Sequence, residues 1–117
     1  DLAGLKTPAR VQGRSLVGHL TGKRDSTDGR RFVYSEYYNS WTHGDAYGTM
    51  LRSEDHKIVV YHGQATGELY DLGNDPDEFE NLWDDQGARS LKMEMIKRCF
   101  DASVFSMDPV PLRRGPF

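Results

Sequence analysis

The chain has 117 residues, of which 28% are charged and 37% apolar, and its formal net charge is -3. That size suits one small domain with a modest core, and the composition is globular rather than disordered. There is no basic footprint for nucleic acid, and no apolar run nears the ~20 residues of a membrane helix, so neither partner is expected.

The chain opens on Asp1-Leu2-Ala3-Gly4-Leu5, which reads as the last turn of a helix meeting a glycine stop. A start at a helix end predicts truncation at the N-terminus. Arg14 to Leu20 predicts one or two helical turns. Thr21 to Arg31 is polar and turn-rich, a surface loop. Phe32 to Tyr38 reads as an aromatic-rich strand, with Phe32, Tyr34, Glu36 and Tyr38 on one face and Val33, Ser35 and Tyr37 on the other. Asn39 to Ala46 is a loop, and Tyr47 to Arg52 a second strand. Ser53 to Asp55 turns the chain into a third strand, His56 to His62, whose two apolar faces place it inside the sheet. Glu68 to Leu72 is a short fourth strand.

From Ala88 to Ser103 the period becomes helical. Ala88, Leu91, Met95, Cys99 and Ala102 form one apolar stripe, which Ile96 and Phe100 widen. Short links between strands favour an antiparallel meander. The predicted fold is therefore α+β, a small antiparallel sheet of about four strands packed against a C-terminal helix. Residues 1–106 form a single domain in this reading. Residues 107–117, with three prolines and a glycine, form a tail that cannot be helix or central strand.

The densest stretch is Gly67 to Asp85. A short strand meets Asp75-Pro76, where proline supplies the φ of a turn or helix start. Asp75 reads as the cap of a turn through Phe79, with Asp77 and Glu78 near unpaired N–H groups. Asn81 caps or closes the next turn, and Leu82 and Trp83 plug the core. In this reading the carboxylates are structural.

Reactive chemistry is sparse. Cys99 lies on the apolar stripe, where a free cysteine behaves as a small hydrophobe. As the only cysteine, it excludes an internal disulfide. With no signal-peptide pattern, it favours a reducing, cytoplasmic compartment. The four histidines show no ligand spacing, so no metal site is signalled. No catalytic residue is assigned. Trp41, His43 and Tyr47, beside Gly44 and Asp45, combine an aromatic platform with a proton carrier, a composition suited to a sugar or aryl group. The alternative is a hairpin loop with Trp41 packed inward. Arg52 and Lys57 are either an anion site or solvated strand ends.

Several segments in order carry a resemblance. They are Asp1 to Leu5, Val11 to Val17, Val33 to Glu36 with Met50 to Arg52 and His56 to Tyr61, and Glu68 to Leu72 followed by Asp75-Pro76, Glu78 and Asn81-Leu82. Together they resemble the C-terminal subdomain of sulfatases, in the alkaline-phosphatase-like superfamily. The resemblance implies an upstream α/β catalytic domain as partner. That domain would use a formylglycine, made within a CxPxR motif, and a divalent cation such as calcium to hydrolyse sulfate esters. None of those residues has a counterpart here, because Cys99 is followed by Phe100, Asp101 and Ala102. The chain alone is expected to be inactive and to support the catalytic domain, with Trp41, His43 and Tyr47 bordering the substrate pocket. A sheet face left uncovered by that domain would favour self-association, and the tail would clamp the catalytic domain or a neighbouring subunit. Two other readings stand: an autonomous carbohydrate-binding or protein-interaction module, and part of a phosphonate or phosphate ester hydrolase.

Overall fold

A computed structural model of the chain describes residues 2–8, 11, 13–23, 30–39 and 46–107. The elements are α1 (Val17–Leu20), β1 (Phe32–Asn39), β2 (Ala46–Ser53), β3 (His56–Tyr61), β4 (Gly67–Asp71) and α2 (Arg89–Ser106). They divide into two compact units, residues 1–29 with 106–117, and residues 30–105.

In the first unit Gly4 has φ +68°, the left-handed conformation of a helix stop. Helix α1 is shorter than the predicted Arg14 to Leu20. The Ser15 hydroxyl accepts the Val17 N–H at 3.3 Å and holds the entry to the helix outside it. At the other end Gly22 has φ +66°. The Gly22 N–H donates to His19 O at 3.1 Å, and the Lys23 N–H to Gly18 O at 2.8 Å. These two bonds close a helix whose carbonyls would otherwise be unpaired.

The second unit is an antiparallel meander in the order β1-β2-β3-β4. Side chains alternate between the faces of a strand, so the register stacks them in rows across the sheet. One row is Tyr34, Leu51, Ile58 and Leu69. Leu51, Ile58 and Leu69 are sealed from solvent, as is Met95 of α2, and Cys99 and Ala102 join them in one cluster. Helix α2 thus packs on the face that this row defines. Strand β3 is interior, as its two apolar faces predict. Phe100 corrects the predicted stripe, for it is 69% exposed. It sits about 100° around the helix from Cys99, which turns it from the buried centre of the core face to its exposed rim. The outer side of α2 carries ion pairs one turn apart, Glu94 to Arg98 and Lys97 to Asp101, both at 2.6 Å.

Pairing lengthens the predicted hairpin. Asn39 pairs with Ala46, so both ends of the predicted loop belong to strands, and its residues 40–45 lie outside the described residues. The next turn is closed by Ser53, whose hydroxyl accepts the His56 N–H at 3.1 Å. Helix α2 runs three residues past Ser103.

The segment after β4 is built on Asn81. Its Oδ1 accepts the Leu69 and Trp83 N–H groups, both at 3.0 Å, and its Nδ2 donates to Gly67 O at 3.1 Å. Asn81 therefore ties the loop to β4 and, through the Trp83 N–H, closes the turn that follows, as its position predicts. Trp83 lies over Gly67, so closely that a Cβ there would fall below 3.0 Å from the ring. The indole N–H donates to Ala65 O at 3.3 Å, and the Lys92 ammonium sits 4.6 Å from the ring centroid.

Asp75 behaves as a cap, its Oδ2 accepting the Glu80 N–H at 2.8 Å. Glu78 is a correction. Its φ of +60° lies in the left-handed region, so the Pro76 turn does not continue as a helix. The reversal directs its carboxylate at Lys57, with Arg52 at 3.7 Å.

Asp71 accepts the N–H groups of Gly73 and Asn74 at 3.1 and 3.2 Å, and the Asn74 side-chain amide at 2.8 Å. The Asn74 side-chain bond, followed by the backbone bonds, lowers its pKa from the usual 3.8. A depressed carboxylate contributes stability above its unfolded pKa and loses it as pH falls through the lower folded value. Native Asp71 should therefore stabilise the chain at neutral pH and lose that contribution below about pH 4. Urea midpoints from pH 7 to pH 2 check this, because Asp71→Asn should flatten that acid limb.

Candidate functional site

Along the helix-covered face the rows pass from core to cleft. Beyond Tyr34, Leu51, Ile58 and Leu69 comes the row Glu36, Thr49, Val60 and Gly67, and beyond that the pair Tyr38 and Tyr47. Alternation puts all of these on one face. His62 continues that face past β3 and is tied to β2, its N–H donating to Tyr47 O at 2.9 Å.

A cavity of about 220 Å³ lies where these rows meet α2, with Val60, Ile96 and Phe100 as apolar walls and Cys99 at the base. Four of the polar groups form two pairs, and the Ser103 side chain, bonded to Tyr34, is a fifth. The Tyr34 hydroxyl donates to Glu36 Oε1, and the Thr49 hydroxyl is hydrogen-bonded to His62 Nε2. Thr49 is only 7% exposed, and its bond to His62 satisfies a hydroxyl that would be costly to bury alone. Burial first, and then the bond to Glu36, raises the Tyr34 pKa above 10. Burial pushes the Cys99 thiol up to about 11, so it stays protonated at neutral pH and is a poor nucleophile.

Of the three residues singled out from sequence, Trp41 and His43 lie outside the described residues. Tyr47 is 46% exposed and packs against Tyr38 with ring centroids 4.8 Å apart and planes tilted by 34°. That aromatic pair stands one row beyond the cavity. Glu36, Thr49 and His62 were missed as site residues, although two-residue alternation already puts Glu36 on one face with Tyr34 and Tyr38. Their cross-strand meeting depends on the register of β1, β2 and β3.

The opposite sheet face answers the question of Arg52 and Lys57. Lys57 is ion-paired with Glu78 and lies 5.5 Å from the Tyr70 ring centroid. Glu78 pairs directly with the half-buried Lys57, while Arg52 lies 3.7 Å from the same carboxylate and stays exposed, as a solvated strand end would. Among the described residues, no three His, Cys, Asp or Glu side chains converge to hold a metal.

Comparison with known proteins adds a family. The family model described as "N-sulphoglucosamine sulphohydrolase, C-terminal" matches residues 1–104. A Delta 4,5-hexuronate-2-O-sulfatase of Bacteroides thetaiotaomicron is 34% identical over 82 residues, which are 70% of this chain and 17% of that protein. An N-acetylglucosamine-6-O-sulfatase of the same organism is 30% identical over 88 residues, 71% of this chain and 15% of that protein. A solved structure in complex with its substrate D-glucosamine-2-N,6-O-disulfate has the same fold. It aligns with a TM-score of 0.75 at 23% identity, over 97% of this chain and 24% of that one. The chain thus spans about a sixth of the length of these two sulfatase relatives.

Proposed function

The chain belongs to the N-sulphoglucosamine sulphohydrolase C-terminal family, and from that premise we propose that it is the supporting module of a sulfate ester hydrolase acting on sulfated sugars. The observation that carries the reading is the use made of the carboxylates from the end of β4 onward. Asp71 closes a turn, Asp75 caps the next, and Glu78 holds Lys57 and Arg52. Each is committed to the fold.

In this proposal the reaction takes place in a separate catalytic domain, with a formylglycine and a divalent cation such as calcium. The residues of this chain do not fit either group. Cys99 is buried with its thiol held neutral, and no described cluster suits a metal. What this chain supplies is a rigid sheet-and-helix body. Its face away from α2, where Val33 and Tyr37 are exposed, is the surface proposed for the catalytic domain.

Sulfate release from a sulfated glucosamine by the full-length protein tests the reading. Turnover that vanishes when the catalytic domain's nucleophile is replaced supports it, and absence of turnover on sulfated sugars refutes it. Trp41, His43 and Tyr47 are proposed to border the substrate. Tyr47→Ala in the full-length protein should raise KM about tenfold with kcat within about threefold, the signature of lost uniform binding. An unchanged KM would remove Tyr47 from the pocket border.

A further inference from the structure

We propose that the cavity between the sheet and α2 is a binding site for a small primary amine with an apolar body, a role separate from sulfate ester chemistry. Size, lining and charge each point that way. An apolar cavity of about 150 Å³ already accepts a benzene-sized ring, and this one is about 220 Å³. Its walls are Val60, Ile96 and Phe100, side chains suited to burying a hydrocarbon face. Phe100 is otherwise an exposed aromatic ring on a helix, and an occupant would cover it.

The sign of the charge at the cavity selects the head group. Glu36 is the one carboxylate in the lining. One of its oxygens accepts from Tyr34, and the other accepts no hydrogen bond among the described residues. Opposite it, the Thr49 hydroxyl is already bonded to His62, and the neutral Cys99 thiol adds no second anion. An ammonium group placed at the free Glu36 oxygen would form a charge-assisted hydrogen bond while its body fills the apolar end. A carboxylate or sulfate in that place would meet the charge of Glu36.

Calorimetric titration of the full chain at pH 8 with benzylamine, benzyl alcohol and benzoate tests this. Benzylamine should bind about tenfold more tightly than benzyl alcohol, and benzoate should give no heat. Glu36→Gln, at an exposed position, should bring benzylamine to the level of the alcohol, and Phe100→Ala should weaken both. Methyl resonances of Val60 and Ile96 should shift on addition of benzylamine to the unaltered chain. Equal affinity for the amine and the alcohol would overturn the proposal. So would amine binding that Glu36→Gln leaves unchanged, or methyl resonances that do not move.

Discussion

Replacing Ile58 by alanine should cost about 2–5 kcal/mol, the range for truncating a large side chain inside a packed core. Ile58 is fully buried on an interior strand, between Leu51 of β2 and Leu69 of β4, with Met95 of α2 in the same cluster. Three neighbouring elements would lose contacts, and paired strands on both sides restrain the collapse that would lessen the cost. The midpoint of urea unfolding checks this. Ile58→Val should cost only about 0.5–1.5 kcal/mol, and a loss of that size for Ile58→Ala would mean that the helix can close over the gap.

The second large effect is expected at Gly67. A Cβ there would meet the Trp83 ring below 3.0 Å, and that ring is anchored to Ala65 and covered by Lys92. Gly67→Ala should therefore destabilise by about 1–3 kcal/mol through overpacking. The cause is separable. In the double variant Gly67→Ala with Trp83→Ala the clash is absent, so the combined loss should fall short of the sum of the two single losses. Additive losses would place the cost in the β4 backbone and not in the ring.

The α+β architecture was legible because the residues of the sheet obey a period of two and those of the helix a period near 3.6. Ile58 and Val60 against Val59 and Tyr61 make both faces of the strand apolar, and β3 is indeed interior in the strand order. Of the stripe Ala88, Leu91, Met95, Cys99 and Ala102, four are buried as the spacing requires and Leu91 is half-buried against them. Phe100 was misjudged because one helical step carries a side chain far round the axis, and hydrophobicity alone does not set direction. Glu78 was misjudged for another reason. Asp-Pro-Asp-Glu reads locally as a helix start, whereas long-range partners decide the outcome. Asn81 closes its turn as read but also binds the edge of β4, which the local pattern does not show, and Glu78 adopts a left-handed φ while holding Lys57 and Arg52. The cleft was hidden for the same reason. Glu36, Thr49 and His62 lie on three segments, and only strand register makes them neighbours.

The central claim is that the acidic segment from the end of β4 onward builds the fold and takes no part in the reaction. Its most direct test is kcat and thermal midpoint, measured together in the full-length protein on a sulfated sugar, for Asp71→Asn, Asp75→Asn and Glu78→Gln. The account expects each midpoint to fall while kcat, at a temperature where every variant is folded, stays within about twofold of the unaltered protein. A hundredfold loss of kcat with an unchanged midpoint, for any of the three, would contradict it.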